Sequence, residues 1–70
     1  MLQISLEAAR RNAKLTQAEA AEKIGVTRQT IINWEKGKNN PRIPEMKMIS
    51  LVYNIPQNYI FLPETPQKVD

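Results

Sequence analysis

A chain of 70 residues with a net charge of +3, no cysteine and no histidine has room for one modest core. A domain this short buries only ~60% of the surface its unfolded chain exposes, which leaves no space for a separate enzyme cleft. The missing side chains exclude disulfides, thiolate metal sites and the commonest general base.

A cysteine-free small domain suits a reducing cytoplasm. No apolar run approaches the ~20 residues of a membrane span. The opening Met1-Leu2-Gln3-Ile4-Ser5 lacks the basic and apolar regions of a signal peptide. The expectation is therefore a cytoplasmic protein that is not an enzyme and takes no cofactor, metal, membrane or small-molecule ligand. Positive charge gathers on Arg10, Arg11 and Lys14, and again on Lys38, Arg42 and Lys47, with a neutral centre between. Such a balance permits nucleic-acid binding without requiring it.

Helical signals dominate in chain order, and nothing alternates with a period of two for long enough to make a sheet. A first helix is expected from about Ser5 to Ala13, where Ser5 is a good N-cap and Leu6, Ala9 and Ala13 share one face. Leu15 packs the turn that follows. Thr16-Gln17-Ala18-Glu19 is a capping box: the threonine hydroxyl accepts from an orphan amide while the glutamate reaches back to the cap's own N–H. That second helix runs to Ile24 and stops at Gly25, which takes a left-handed conformation at no steric cost. Thr27 caps a third helix ending at Lys36, before Gly37. Its Ile31, Ile32 and Trp34 are weak helix formers, so packing must hold it in place. After a polar loop, Pro44 opens a fourth helix reaching Tyr53. Asn54-Ile55-Pro56 is a turn, and a short fifth helix is expected over Gln57 to Leu62. The whole reads as one all-α domain over residues 1–63 with a flexible tail at 64–70.

The informative unit runs from Gln17 to Lys36: a short helix, a tight turn and a second capped helix. Ala20, Ala21 and Ile24 line the first, Val26 plugs the turn, and Ile31 and Trp34 line the second. That assignment puts Trp34 in the core instead of against a ligand. Removing the inward positions from the third helix leaves Arg28, Gln29, Ile32 and Asn33 on one face. Arg grips guanine, and Gln or Asn grips adenine, each through two hydrogen bonds. Ile32 is odd on a solvent face and suits a thymine methyl. Taken alone, this stripe reads as a solvated helix face. Its surroundings favour DNA.

Those surroundings carry a family resemblance. Thr16-Gln17-Ala18-Glu19-Ala20-Ala21-Glu22-Lys23-Ile24-Gly25-Val26-Thr27-Arg28-Gln29-Thr30-Ile31-Ile32-Asn33-Trp34-Glu35-Lys36-Gly37 resembles the core of the lambda-repressor-like (Xre, Cro/C1-type) helix-turn-helix family. Pro41, Tyr53-Asn54-Ile55 and Tyr59-Ile60-Phe61-Leu62 extend the likeness over about residues 4–62. The resemblance implies five helices, with the third in the major groove and base contacts from Arg28, Gln29 and Asn33. It implies backbone contacts from Gln17, at a helix N-terminus that favours an anion, and from Thr27, Thr30, Lys38, Asn39, Asn40 and Arg42. For Lys38 and Arg42 a flexible charged loop is an equal alternative. Arg10 and Glu35 match a family pair that bridges the first and third helices as a structural ion pair. The sequence departs from the common pattern at Ala20, where Leu is usual, at Ser50, where Ala is usual, and at Pro56, in place of a capping Ser.

Met46, Ile49 and Tyr53 form the inward stripe of the fourth helix. Met48, Leu51 and Val52 lie partly outside it and, with Pro56, Tyr59 or Phe61, form a candidate dimer contact; a wider core is the alternative. The reading is a sequence-specific double-stranded DNA-binding transcriptional regulator. It would act as a repressor, with two copies on a palindromic operator, and such compact regulators suit phage or mobile-element switches. Two alternatives remain: a protein-interaction module on the same fold, such as an antirepressor or antitoxin, and a nonspecific nucleic-acid binder.

Overall fold

The computed structural model describes residues 3–62. The tail expected at 64–70 lies outside them. Four α-helices form the body: α1 (Leu6–Asn12), α2 (Gln17–Ile24), α3 (Arg28–Lys36) and α4 (Ile43–Tyr53). Two-residue strands stand at either end, β1 (Ile4–Ser5) and β2 (Ile60–Phe61), and they pair in parallel with Ile4 opposite Ile60.

Local chemistry sets the first three helices. The hydroxyl of Ser5 accepts from the Ala8 amide at 3.1 Å, which places the start of α1. At α2 both arms of the box close: Thr16 Oγ1 accepts from Glu19 N at 3.1 Å, and Glu19 Oε1 accepts from Thr16 N at 2.9 Å. Gly25 ends that helix at φ 95°, with nothing within 4 Å of where a Cβ would sit. The residue is glycine because of its backbone angle, since there is space for a side chain. Thr27 caps α3 by accepting from Thr30 N at 3.2 Å. Glu45 steadies the start of α4 by accepting from the Arg42 amide at 2.7 Å.

Two helix ends use less obvious residues. Lys14, just past α1, is held at φ 63°, in a region that costs a non-glycine residue ~1–2 kcal/mol. Asn54 ends α4 at φ 57°, a conformation asparagine tolerates better. Ser50 then explains its departure from the family pattern. Its hydroxyl donates to the Ile55 carbonyl at 2.6 Å, and the Ile55 amide donates back to the Ser50 carbonyl at 3.0 Å. An alanine at 50 would lose the first of these.

One core joins all four helices. Leu6, Ala9, Ala20, Ala21, Ile24, Ile31, Trp34, Ile49, Tyr53 and Ile60 are buried, with Leu15, Val26, Met46 and Val52 packed against them. Ala20 is 0% exposed. A leucine there would have to displace the side chains packed around it.

The expected fifth helix, and with it the five-helix count, is corrected. Gln57–Tyr59 makes a single 3-10 turn after Pro56, and the chain then extends as β2. A helix so short has no stability of its own. Ile60 is a β-branched residue that reaches the core by pairing with Ile4, and β-branched and aromatic residues favour extended backbone. The same pairing corrects the expectation of no sheet. The bond from Gln3 Nε2 to the Asn58 carbonyl at 3.1 Å ties the two ends again.

Candidate nucleic-acid interface

The two faces of α3 differ sharply. Ile31 and Trp34 are buried at 1% and 4% exposure. Arg28 and Gln29 are exposed, and Ile32 and Asn33 are half-buried. Helical geometry sets these four side by side along the outer surface. Gln29 Nε2 donates to Asn33 Oδ1 at 3.0 Å, one turn further on. Nearby, the Thr27 and Thr30 hydroxyls share a hydrogen bond of 2.9 Å.

A buried polar network fixes where α3 points. Arg10 on α1 donates from Nε to Glu35 Oε2 at 2.7 Å and from Nη2 to Glu35 Oε1 at 3.3 Å. Its remaining terminal nitrogen donates to the Leu15 carbonyl at 2.9 Å. Gln17, the first residue of α2, donates from Nε2 to Glu35 Oε1 at 3.1 Å. The two charged side chains are only 9% and 7% exposed, so each depends on its partner for satisfaction. The Glu35 hydrogen bond holds the Arg10 guanidinium above its ordinary range, against burial, which acts the other way. Tyr53 borders the network. Burial first, then the Glu35 charge, push its phenol up to about 12, while Arg10 opposes them. The pair between Glu7 and Arg11, at 2.9 Å, is largely exposed and contributes at most ~0.5 kcal/mol.

Two polar hollows flank the outer stripe. One is lined by Glu7, Arg10, Arg11, Thr16, Gln17, Ala18 and Arg28, and so joins the N-terminus of α2 to the first residue of α3. Thr16 takes the Glu19 amide, which leaves the Gln17 and Ala18 amides of that first turn without an intrahelical partner. Thr30, Asn33, Trp34, Asn39, Asn40, Arg42 and Glu45 line the other hollow. Lys38, Asn39, Asn40 and Arg42 are all exposed. The structure therefore brings Gln17 to one side of the stripe and Thr30, Asn39, Asn40 and Arg42 to the other. Lys38 lines neither hollow. Sequence reasoning missed the Gln17–Glu35 bond, which joins residues distant in sequence. The Gln29–Asn33 bond was open to it through the one-turn spacing of two amides.

Several large apolar side chains of α4 and the segment after it are exposed. Leu51 is 75% exposed, Phe61 51%, Tyr59 44% and Met48 38%. Pro56 is exposed too, whereas Val52 is half-buried and packs on the core. Ile43, at 75%, is an exposed apolar residue that sequence reasoning passed over. Among the described residues no group of acidic or other metal-ligating side chains is arranged to hold a metal ion.

Two capped helices joined by a glycine turn, the second presenting an exposed polar stripe, make a helix-turn-helix unit. A helix-turn-helix family model matches residues 6–60, and the chain belongs to the Cro/C1-type helix-turn-helix family. An uncharacterized HTH-type transcriptional regulator of Methanothermobacter thermautotrophicus is 56% identical over 34 residues, 49% of either chain. One of the same description from Archaeoglobus fulgidus is 42% identical over 48 residues, 69% of this chain and 68% of that one. The uncharacterized HTH-type transcriptional regulator YqaE of Bacillus subtilis is 30% identical over 69 residues, 99% of this chain and 60% of its own. The chain thus spans between 49% and 68% of the length of these relatives. No solved structure matches it significantly.

Proposed function

We propose that this chain is a sequence-specific regulator of transcription that lays α3 in the major groove of double-stranded DNA. The observation that carries the reading is the outer face of α3. There Arg28, Gln29, Ile32 and Asn33 stand free of the core, between two polar hollows. A groove is read along its floor and gripped at its walls, where phosphates take most of the hydrogen bonds. Arg28 fits guanine, Gln29 with Asn33 bonded to it fits adenine, and Ile32 fits a thymine methyl. On one wall the free amides at the start of α2 and the second N–H of Gln17 meet a phosphate, favoured by the helix dipole. Thr27, Thr30, Lys38, Asn39, Asn40 and Arg42 serve the phosphates beside the stripe. The Arg10–Glu35–Gln17 network touches no base. It ties the clamp on α2 to the reader on α3, so the two dock as one piece.

Two copies bind a palindromic operator in the cytoplasm, with half-sites about 34 Å apart. The apolar surface of Met48, Leu51, Tyr59 and Phe61, with Val52 and Pro56 at its margin, supplies their contact. Occupancy of a promoter then blocks polymerase, which makes the protein a repressor.

The test is binding to a selected operator. Arg28→Ala and Gln29→Ala should each weaken it by ~1–3 kcal/mol and relax preference at one base pair. Lys38→Ala should weaken all sequences alike and shallow the salt dependence by about one unit. Equal losses on every sequence for all three variants would leave a nonspecific binder.

A further inference from the structure

We propose that Gln29 and Asn33 act on DNA as one unit: the Asn33 carbonyl holds the Gln29 amide in position for adenine, so Asn33 is a positioning residue for the Gln29 contact. The proposal rests on the reading of α3 as the base-reading helix, and it says how that helix achieves its preference.

The hydrogen bond itself carries the argument. Gln29 Nε2 donates to Asn33 Oδ1 at 3.0 Å. A primary amide has two N–H groups and one carbonyl. Reading adenine takes one N–H, given to N7, and the carbonyl, which accepts from N6. One N–H is left over, and that is what the bond to Asn33 uses. What remains on Gln29 is the complement of an adenine edge.

The two side chains are unequal partners. Gln29 is exposed and longer by one carbon, so it is the freer of the two. Asn33 is shorter and half-buried beside Thr30 and Trp34 in the hollow at the flank of α3. The constrained amide therefore orients the mobile one. A glutamine left free would turn its carbonyl or its NH2 toward a base with equal ease. That would blur the choice between adenine, which offers both a donor and an acceptor, and guanine, which offers two acceptors.

The experiment is selection of bound sequences from a pool randomised across one half-site, with folding of each variant checked by thermal unfolding. Gln29→Ala should lower the preference for adenine at one base pair by roughly 10-fold or more. Asn33→Ala should relax that same base pair several-fold, and the double variant should relax it no further than Gln29→Ala alone. Asn33→Asp keeps an acceptor for the Gln29 N–H but loses its own NH2. It should retain the adenine preference while binding every sequence more weakly, because its charge faces phosphates. Loss of preference at a different base pair in Asn33→Ala, with additive effects in the double variant, would make the two independent readers and overturn the proposal. Absence of any preference in the unaltered protein would instead overturn the base-reading role of α3, and this proposal with it.

Discussion

The helix-turn-helix and the β1–β2 pair are built by opposite means. From Thr16 to Gly37 every boundary is set by a residue three or four positions away. Thr16 and Glu19 cap each other, Gly25 turns at φ 95°, Thr27 caps Thr30, and Gly37 closes at φ 79°. In the pair, Ile4 and Ser5 become a strand only because Ile60 and Phe61 arrive beside them. Neither strand has an alternating run of its own, and the cap that β1 contains, Ser5, serves α1. Local rules set the helix boundaries of the helix-turn-helix, whereas the β1–β2 pair exists only through contact between segments far apart in sequence.

The largest expected effect tests how far local rules suffice in the first region. Arg10→Ala leaves Glu35 buried without its cation and should destabilise the protein by about 3–4 kcal/mol in urea unfolding. A loss under about 1 kcal/mol would mean the helix-turn-helix stands without its tie to α1. In the second region, Ile60→Ala should cost about 2–4 kcal/mol, because that side chain is 5% exposed. Phe61→Ala, at 51% exposure, should cost under about 1 kcal/mol. Equal losses would mean that the extended backbone matters more than the core contact of Ile60.

A smaller effect is expected at alkaline pH, where the network meets α4. The Tyr53 phenol is raised from 10.0 to about 12 in the folded protein. Below pH 10 the phenol is neutral in both folded and unfolded chains. Between pH 10 and 12 the unfolded chain loses the proton first, so stability falls as pH rises, by about 1–2 kcal/mol. Tyr53→Phe should remove that part of the decline, measured as urea unfolding at pH 9 and 11. The smallest effect is a gain. Lys14→Gly relieves a left-handed residue and should stabilise by about 0.5–1 kcal/mol in thermal unfolding.

How much was legible in the sequence follows the same division. Thr16, Glu19, Gly25, Thr27 and Gly37 announce α2 and α3 because caps and left-handed turns are short-range chemistry. Ser5 announces α1 for the same reason, and Pro44 marks the first turn of α4. The segment after Pro56 misleads because Gln57 to Leu62 holds no proline or glycine to break a helix, and the family resemblance implies one there. The extended form of Ile60 and Phe61 depends on Ile4, and no local pattern reports that partner. In the candidate interface, helical spacing alone gathers Arg28, Gln29, Ile32 and Asn33. Arg10 and Glu35 were paired by family resemblance, since nothing local joins α1 to α3. The hold of Glu35 on Gln17 and that of Ser50 on Ile55 were invisible because each depends on how separate segments come to rest against one another.

The most direct test of the central claim, that α3 reads base pairs, is selection from a random double-stranded DNA pool at near-physiological salt. An enriched site with two symmetric half-sites is expected, each carrying a guanine and an adenine within reach of Arg28 and Gln29. A folded protein that enriches no sequence would contradict it and leave a fold that binds something other than a DNA operator.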